Sequence, residues 1–154
     1  MNAQFRAGLD VLEELFDGML GTVQRRELDA LNWAPLSTDA NSIAAMVTHV
    51  CGSIDSWLAR ALVETIERDR DAEFRVRATG AALAERIERC RAETRARFAA
   101  LESLDPATER QVRRLSRNQE MTVSVAWCVE HAIAHAAEHW GQIQLTGQLV
   151  AAQA

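Results

Sequence analysis

The sequence contains no lysine and no tyrosine, and only two of its 154 residues are proline. All seventeen basic residues are therefore arginine, and acidic residues lie between them, as in the stretch ERIERCRAETRAR. Such interleaved charges pair along an exposed helix face, whereas a phosphate-binding surface concentrates one sign of charge. The net charge is -5. We therefore expect no nucleic-acid partner.

Cysteine is also scarce, and long apolar runs are missing. Cys51, Cys90 and Cys128 are three widely spaced cysteines without a C-x-x-C pair, so we expect reduced, buried thiols and neither a disulfide framework nor a thiolate zinc site. No apolar run approaches the roughly 18 residues of a membrane span, and the N-terminal stretch MNAQFRAGLDVLEELF contains no basic leader before an apolar run. We expect a cytoplasmic protein with no membrane partner.

The residues that dominate are alanine, leucine, arginine and glutamate, which favour helix over strand. Apolar residues recur every three or four positions in four segments, at about residues 3–30, 40–68, 80–103 and 122–150. A length of 154 residues fits one domain, residues 1–154, with one core. We predict an all-α fold, a single four-helix bundle that buries the four apolar stripes around one axis.

The breaks between these segments carry local signals. Pro35 ends the first helix, because proline cannot continue a helix. Thr79 is expected to cap the third helix, and a polar segment through Asn118 is expected to lead to the fourth. Three good N-caps precede the second helix, namely Ser37, Thr38 and Asp39. The connection of about a dozen residues after the second helix leaves the topology open.

Three of the four histidines lie four residues apart in the stretch VEHAIAHAAEHWGQIQL, as His131, His135 and His139. This spacing places them along one face of a helix. Two neighbours can bind one metal ion, but all three span about 12 Å of helix and cannot reach the same ion. The only histidine available from another helix is His49. Three histidine ligands leave a position for water or substrate, as at catalytic metal sites.

Two other interpretations fit the same stretch. The spacing can arise in a helix whose histidines are packed in the core without metal. The letters HAAEH also match H-x-x-E-H, an inverzincin peptidase signature. We do not expect that activity, because those enzymes resemble large two-layer proteins with a further glutamate ligand far downstream. Glu138 remains a candidate general base or partner of a metal ligand, with a solvent-facing acid as the alternative.

The two histidine-bearing helices resemble those of the DinB/YfiT-like superfamily of small bacterial metal-binding proteins. The pattern of the family's last helix is H-x-x-x-H followed by x-G-Q, matched by His135, His139, Gly141 and Gln142. The pattern of its second helix is serine-isoleucine, then a histidine, then an aromatic residue, matched by Ser42, Ile43, His49 and Trp57. The resemblance covers nearly the whole chain.

This resemblance implies an up-down-down-up bundle that holds a divalent ion, zinc or nickel, through His49, His135 and His139. His131 would then lie one turn below, lining the pocket or contacting the ligands. Trp57, Trp140 and Gln142 are further candidates for the pocket wall, with helix packing as the alternative. Relatives often have arginine where this chain has Trp140, and this departure puts the substrates of relatives in doubt for this chain.

Some members of the family are S-transferases that use the low-molecular-weight thiols bacillithiol or mycothiol, and one branch isomerises maleylpyruvate with mycothiol. Members are often homodimers. Three functions therefore fit the sequence. The first is a divalent-metal-dependent transferase or hydrolase that acts on a small-molecule substrate, with the ion lowering the pKa of a bound thiol or water. The second is a non-catalytic metal-binding or stress-response bundle. The third is a structural helical protein that can form a dimer.

Overall fold

The computed structural model describes residues 2–36, 38, 40–114 and 119–153. Helices dominate these ranges, as the sequence predicts, and a two-stranded antiparallel hairpin accompanies them. The helices are α1 (Ala3–Gln24), α2 (Leu28–Asn32), α3 (Ile43–Leu62), α4 (Arg70–Glu73), α5 (Gly80–Leu101) and α6 (Val125–Ala151). The strands are β1 (Glu109–Arg114) and β2 (Gln119–Ser124).

Two of the predicted helices are shorter than expected. The first ends at Gln24, before the separate short helix α2. The second was expected to continue to residue 68, but α3 ends at Leu62. Val63 adopts the left-handed conformation with a φ of 61°, and the amide of Glu64 donates to the carbonyl of Ala59 at 2.8 Å. This hydrogen bond closes a C-terminal turn and stops the helix.

Side-chain caps fix where the long helices begin. The Ser42 hydroxyl accepts a hydrogen bond from the amide of Ala45 at 3.2 Å and starts α3. The cap therefore lies beyond the three expected positions, of which Ser37 and Asp39 are outside the described residues. Thr79 caps α5, which confirms the prediction for the third helix.

The hairpin was not expected, and the fourth helix begins at Val125, slightly after the predicted start at about residue 122. Residues 119–124 form β2, and Ser124 caps α6 through the amide of Trp127. Val112 pairs with Met121 across the hairpin, and both pack against the core. The end of the expected polar connection, residues 115–118, lies outside the described residues.

The four long helices pack around one apolar cluster, with α1 and α3 each in contact with α5 and α6. Helices α1 and α6 run in the same direction, and α3 and α5 run opposite to them. Helices α1 and α6 meet at Gln4–Glu130 near their starts and at Gly18–Trp140 further along. The antiparallel pair α1 and α5 meets at Gly8–Phe98 and Val23–Gly80. The antiparallel pair α3 and α6 meets at His49–His139 and Trp57–His131. None of the helices in the described ranges combines the length and the apolarity that a bilayer span requires.

Candidate metal site

The three histidines implied as ligands lie together between α3 and α6. His49 is buried on α3, and His135 and His139 are half-buried on the face of α6 that packs against it. One potential ligand atom from each of the three residues lies within 4.8 Å of the other two. The i, i+4 spacing on α6 therefore brings two imidazoles to a third one on the neighbouring helix.

Hydrogen bonds at the far side of two rings determine which nitrogen faces the cluster. Nδ1 of His49 lies 2.8 Å from Oε2 of Glu73, and Nδ1 of His139 lies 2.8 Å from Oε1 of Gln142. Both oxygens are acceptors, so each Nδ1 carries the hydrogen. The Nε2 atoms of His49 and His139 are therefore left with free lone pairs, as in metal-binding histidines.

The distance between two of the ring nitrogens fits a shared ion. Nε2 of His49 lies 3.3 Å from Nε2 of His135. Two nitrogens bound at about 2.0–2.1 Å to a tetrahedral ion are about 3.3–3.4 Å apart. Nδ1 of His135 is buried and has no hydrogen-bond partner. A cation between the Nε2 atoms would stabilise this arrangement, and a set of imidazole donors suits a divalent transition metal.

The environment keeps the imidazoles of His135 and His139 neutral. Burial, reinforced by the neighbouring His139 and His49, lowers the pKa of His135 to about 3. Burial also lowers the pKa of His139, although the hydrogen bond that His139 donates to Gln142 opposes this shift. Neutral imidazole is the form that binds a metal ion, so the site is prepared for one at neutral pH.

Glu73, which the sequence did not suggest, holds His49 in place. Arg68 donates from Nε to Oε1 of Glu73 at 2.6 Å and from Nη2 to Oε2 at 2.8 Å. Nη2 also lies 3.3 Å from Nδ1 of His49, but both are donors and both bond to the carboxylate. Burial alone would raise the pKa of Glu73, yet the hydrogen bonds from Arg68 and His49 outweigh it and the pKa is lowered. Glu73 is therefore an ionised partner for the histidine.

A glycine on α3 makes room for this carboxylate. A Cβ atom at Gly52 would overlap Oε1 of Glu73 and would lie 3.1 Å from Nε of Arg68. Phe74 follows Glu73, and its ring centroid lies 4.4 Å from that of His49. The one signal in the sequence was this aromatic residue inside the charged stretch ERDRDAEFRVR, which indicates a segment that packs against the bundle.

A cavity of about 440 Å³ opens beside the histidine cluster. All three histidines line it, together with Gln142. Apolar walls come from Met46, Phe74, Leu145 and Leu149. An ion at the histidines would therefore face a space large enough for a small organic molecule.

The remaining histidine of α6 belongs to a different cluster. The ring of His131 stacks on Trp127 with centroids 4.8 Å apart, and it meets the edge of Trp57 at 4.4 Å. Its centroid is 6.2 Å from that of His135. Neither His131 nor Trp57 is among the residues that line the cavity.

Of the other predicted site residues on α6, Gln142 lines the cavity, whereas Trp140 and Glu138 do not. Gln142 lines the cavity and accepts from His139. Trp140 points to α1, where its ring occupies the space that a side chain at Gly18 would need. Glu138 is exposed and does not line the cavity.

Known proteins share the sequence pattern and the fold of this chain. The sequence model described as the DinB superfamily matches residues 4–143. The crystal structure of a conserved protein from Enterococcus faecalis is similar, with a TM-score of 0.78 and 14% sequence identity over 99% of each chain. At that identity the likeness shows the fold alone. No curated protein matches the sequence significantly.

Proposed function

Because the chain belongs to the DinB superfamily, we propose that it is a divalent-metal-dependent enzyme that transfers a low-molecular-weight thiol to an electrophilic small molecule. The observation that carries this proposal is the position of the three histidines at the wall of the 440 Å³ cavity. In the described ranges, the candidate ligand group consists of these three side chains alone. A structural zinc site has four protein ligands, whereas three ligands beside a cavity leave room for a reactant.

The residues have separate roles in this proposal. His49, His135 and His139 would hold zinc or nickel, which when bound supplies a Lewis acid that lowers the pKa of a thiol or of water. Glu73 fixes the tautomer and orientation of His49, and Gln142 does the same for His139. The apolar walls of the cavity exclude water from the reactants.

The cysteines of the chain support an external source of sulfur. Cys51, Cys90 and Cys128 are free and buried, and none of them lines the cavity. The hydrogen bond with Cys51, together with burial, raises the pKa of the Cys90 thiol well above its usual range, and burial raises the pKa of Cys128 to about 11. The thiols of Cys90 and Cys128 are therefore protonated, and all three cysteines are buried away from the cavity, so a sulfur nucleophile has to enter the cavity from solution.

The proposal is tested with metal-loaded protein, a panel of low-molecular-weight thiols and 1-chloro-2,4-dinitrobenzene. In this reaction the sulfur forms a bond to the ring carbon, chloride leaves with the bonding electrons, and the thiol proton passes to the buffer. We expect a rate above that of the protein-free mixture, which is lost in His135→Ala and kept in Gln144→Ala, an exposed position of the same helix. Bound metal without such a rate for any thiol would contradict the proposal and favour the non-catalytic metal-binding bundle.

A further inference from the structure

The cavity contains a cation that no described carboxylate neutralises. Arg70, the first residue of α4, lines the same cavity as the three histidines. Its guanidinium carbon lies 5.0 Å from the centroid of the Phe74 ring. Within the described part of the chain, no carboxylate pairs with it. The nearby Arg68, in contrast, donates two hydrogen bonds to Glu73.

The described residues of the other walls provide no counterion for this charge. None of the described residues that line the cavity is acidic, although the chain as a whole carries a net charge of -5. Arg70 is half-buried, so part of its hydration is already lost. A planar guanidinium in this situation is suited to bind a carboxylate through two parallel hydrogen bonds.

The position of Arg70 defines what else the bound molecule must contain. The Phe74 ring contacts both groups: its centroid lies 5.0 Å from the guanidinium carbon of Arg70 and 4.4 Å from the centroid of the His49 ring. A molecule bound to Arg70 would therefore lie in the same cavity as the histidine cluster. Its remaining atoms would contact Met46 and Leu145, which are apolar.

We propose that the cavity selects a small molecule that carries a carboxylate, which Arg70 binds, while the apolar part of the molecule lies between this arginine and the histidine cluster. The inference rests on the proposed function, because it assigns the substrate class of the same site. It makes Arg70 the residue that distinguishes anionic from neutral substrates of similar size.

The first experiment measures hexanoate and 1-hexanol binding to zinc-loaded protein by ligand-observed NMR. The variants are Arg70→Met, which keeps much of the side-chain volume, and Arg75→Met, which removes an exposed arginine outside the cavity. We expect wild type and Arg75→Met to bind hexanoate at least about tenfold more tightly than hexanol, and Arg70→Met to lose this preference. The same preference in Arg70→Met, or no preference in wild type, would overturn the inference.

A second experiment separates this inference from the proposed function. Cobalt-loaded protein is titrated with 3-mercaptopropionate and 2-mercaptoethanol, and the sulfur-to-cobalt absorption band reports thiol binding. We expect both thiols to produce the band, with the carboxylate-bearing thiol favoured only when Arg70 is present. If neither thiol produces the band while hexanoate binding still depends on Arg70, thiol transfer is contradicted and the carboxylate site stands. A preference for 3-mercaptopropionate that persists in Arg70→Met would mean that the metal binds the carboxylate, which contradicts the role of Arg70.

Discussion

Nδ1 of His49 donates a hydrogen bond to Oε2 of Glu73 over 2.8 Å, and this contact joins the histidine cluster on the long helices to the short helix α4. Since the carboxylate also receives two hydrogen bonds from Arg68, it is held on both sides. The ring of His49 is thereby fixed with Nε2 directed at His135. This arrangement prepares His49 to bind a metal ion through Nε2.

Replacing the carboxylate should weaken metal binding without removing a ligand. In Glu73→Gln the negative charge that orients and polarises His49 is lost, so we expect the zinc dissociation constant to rise about 10–100-fold. Competition with a chromogenic chelator measures this constant. Glu67→Gln is the control, because Glu67 is an exposed acid that does not line the cavity and has no described hydrogen bond. Equal affinities for the two variants would contradict the role of Glu73.

The absence of a side chain at Gly52 should be as important for zinc binding as the Glu73 carboxylate that occupies this space. A Cβ atom in Gly52→Ala displaces Glu73 from its position against α3, so we expect zinc affinity to fall in the same direction as in Glu73→Gln. The matched control is Gly141→Ala on α6, where a Cβ atom meets no other atom within 4 Å. Alanine at that helical position should stabilise the fold by about 0.5–1 kcal/mol and leave zinc affinity unchanged. Reduced affinity in the control alone would show that the clearance at Gly52 is irrelevant.

Replacing the first and the last histidine of α6 tests which of its histidines bind the metal ion. His131→Ala should keep one metal ion per chain, because the His131 ring packs against Trp127 and Trp57 outside the cavity. His139→Ala should lose the ion, because its ring belongs to the cluster with His49. Metal content and far-ultraviolet circular dichroism are measured for both. Loss of metal in a folded His131→Ala, with retention in His139→Ala, would show that the metal site lies one turn closer to the start of α6.

The lowered pKa of His135 predicts how the metal-free protein responds to acid. The folded pKa of about 3 is below the ordinary value of 6.5, so the unfolded chain takes up this proton first as the pH falls. The free energy of unfolding should therefore decrease as the pH is lowered through this window. His135→Gln cannot ionise and should show a shallower decrease from pH 6.5 to pH 4 in urea titrations. Parallel curves for the two proteins would contradict the pKa shift.

The residues of the candidate site differ in how far the sequence alone could identify them. His135 and His139 could be identified from the sequence because a four-residue spacing on a helix is a local property. His49 could be identified because it is the only histidine of the sequence outside that helix. Glu73 and Arg70 belong to a four-residue helix in a charged segment. Their positions depend on how that segment packs against α3, and no periodic pattern in the sequence reports this packing.

The fold was predictable to a similar degree. Long amphipathic stripes predict α1, α3, α5 and α6, since each stripe repeats over several turns. The first strand of the hairpin has one buried apolar residue, Val112, which is too little alternation to predict a strand. Val63 ends α3 in a left-handed conformation that β-branched residues rarely adopt, so the sequence contained no signal for that stop.

The central claim is that His49 and the α6 histidines hold one ion between two helices. The most direct measurement is the metal content of tag-free protein by mass spectrometry, with wild type compared with His49→Ala and His139→Ala. We expect about one divalent ion per chain in wild type and none in either variant, each of which remains folded. Wild type without metal after incubation with zinc or nickel, or variants that retain the ion, would contradict the two-helix site and the enzyme proposed from it.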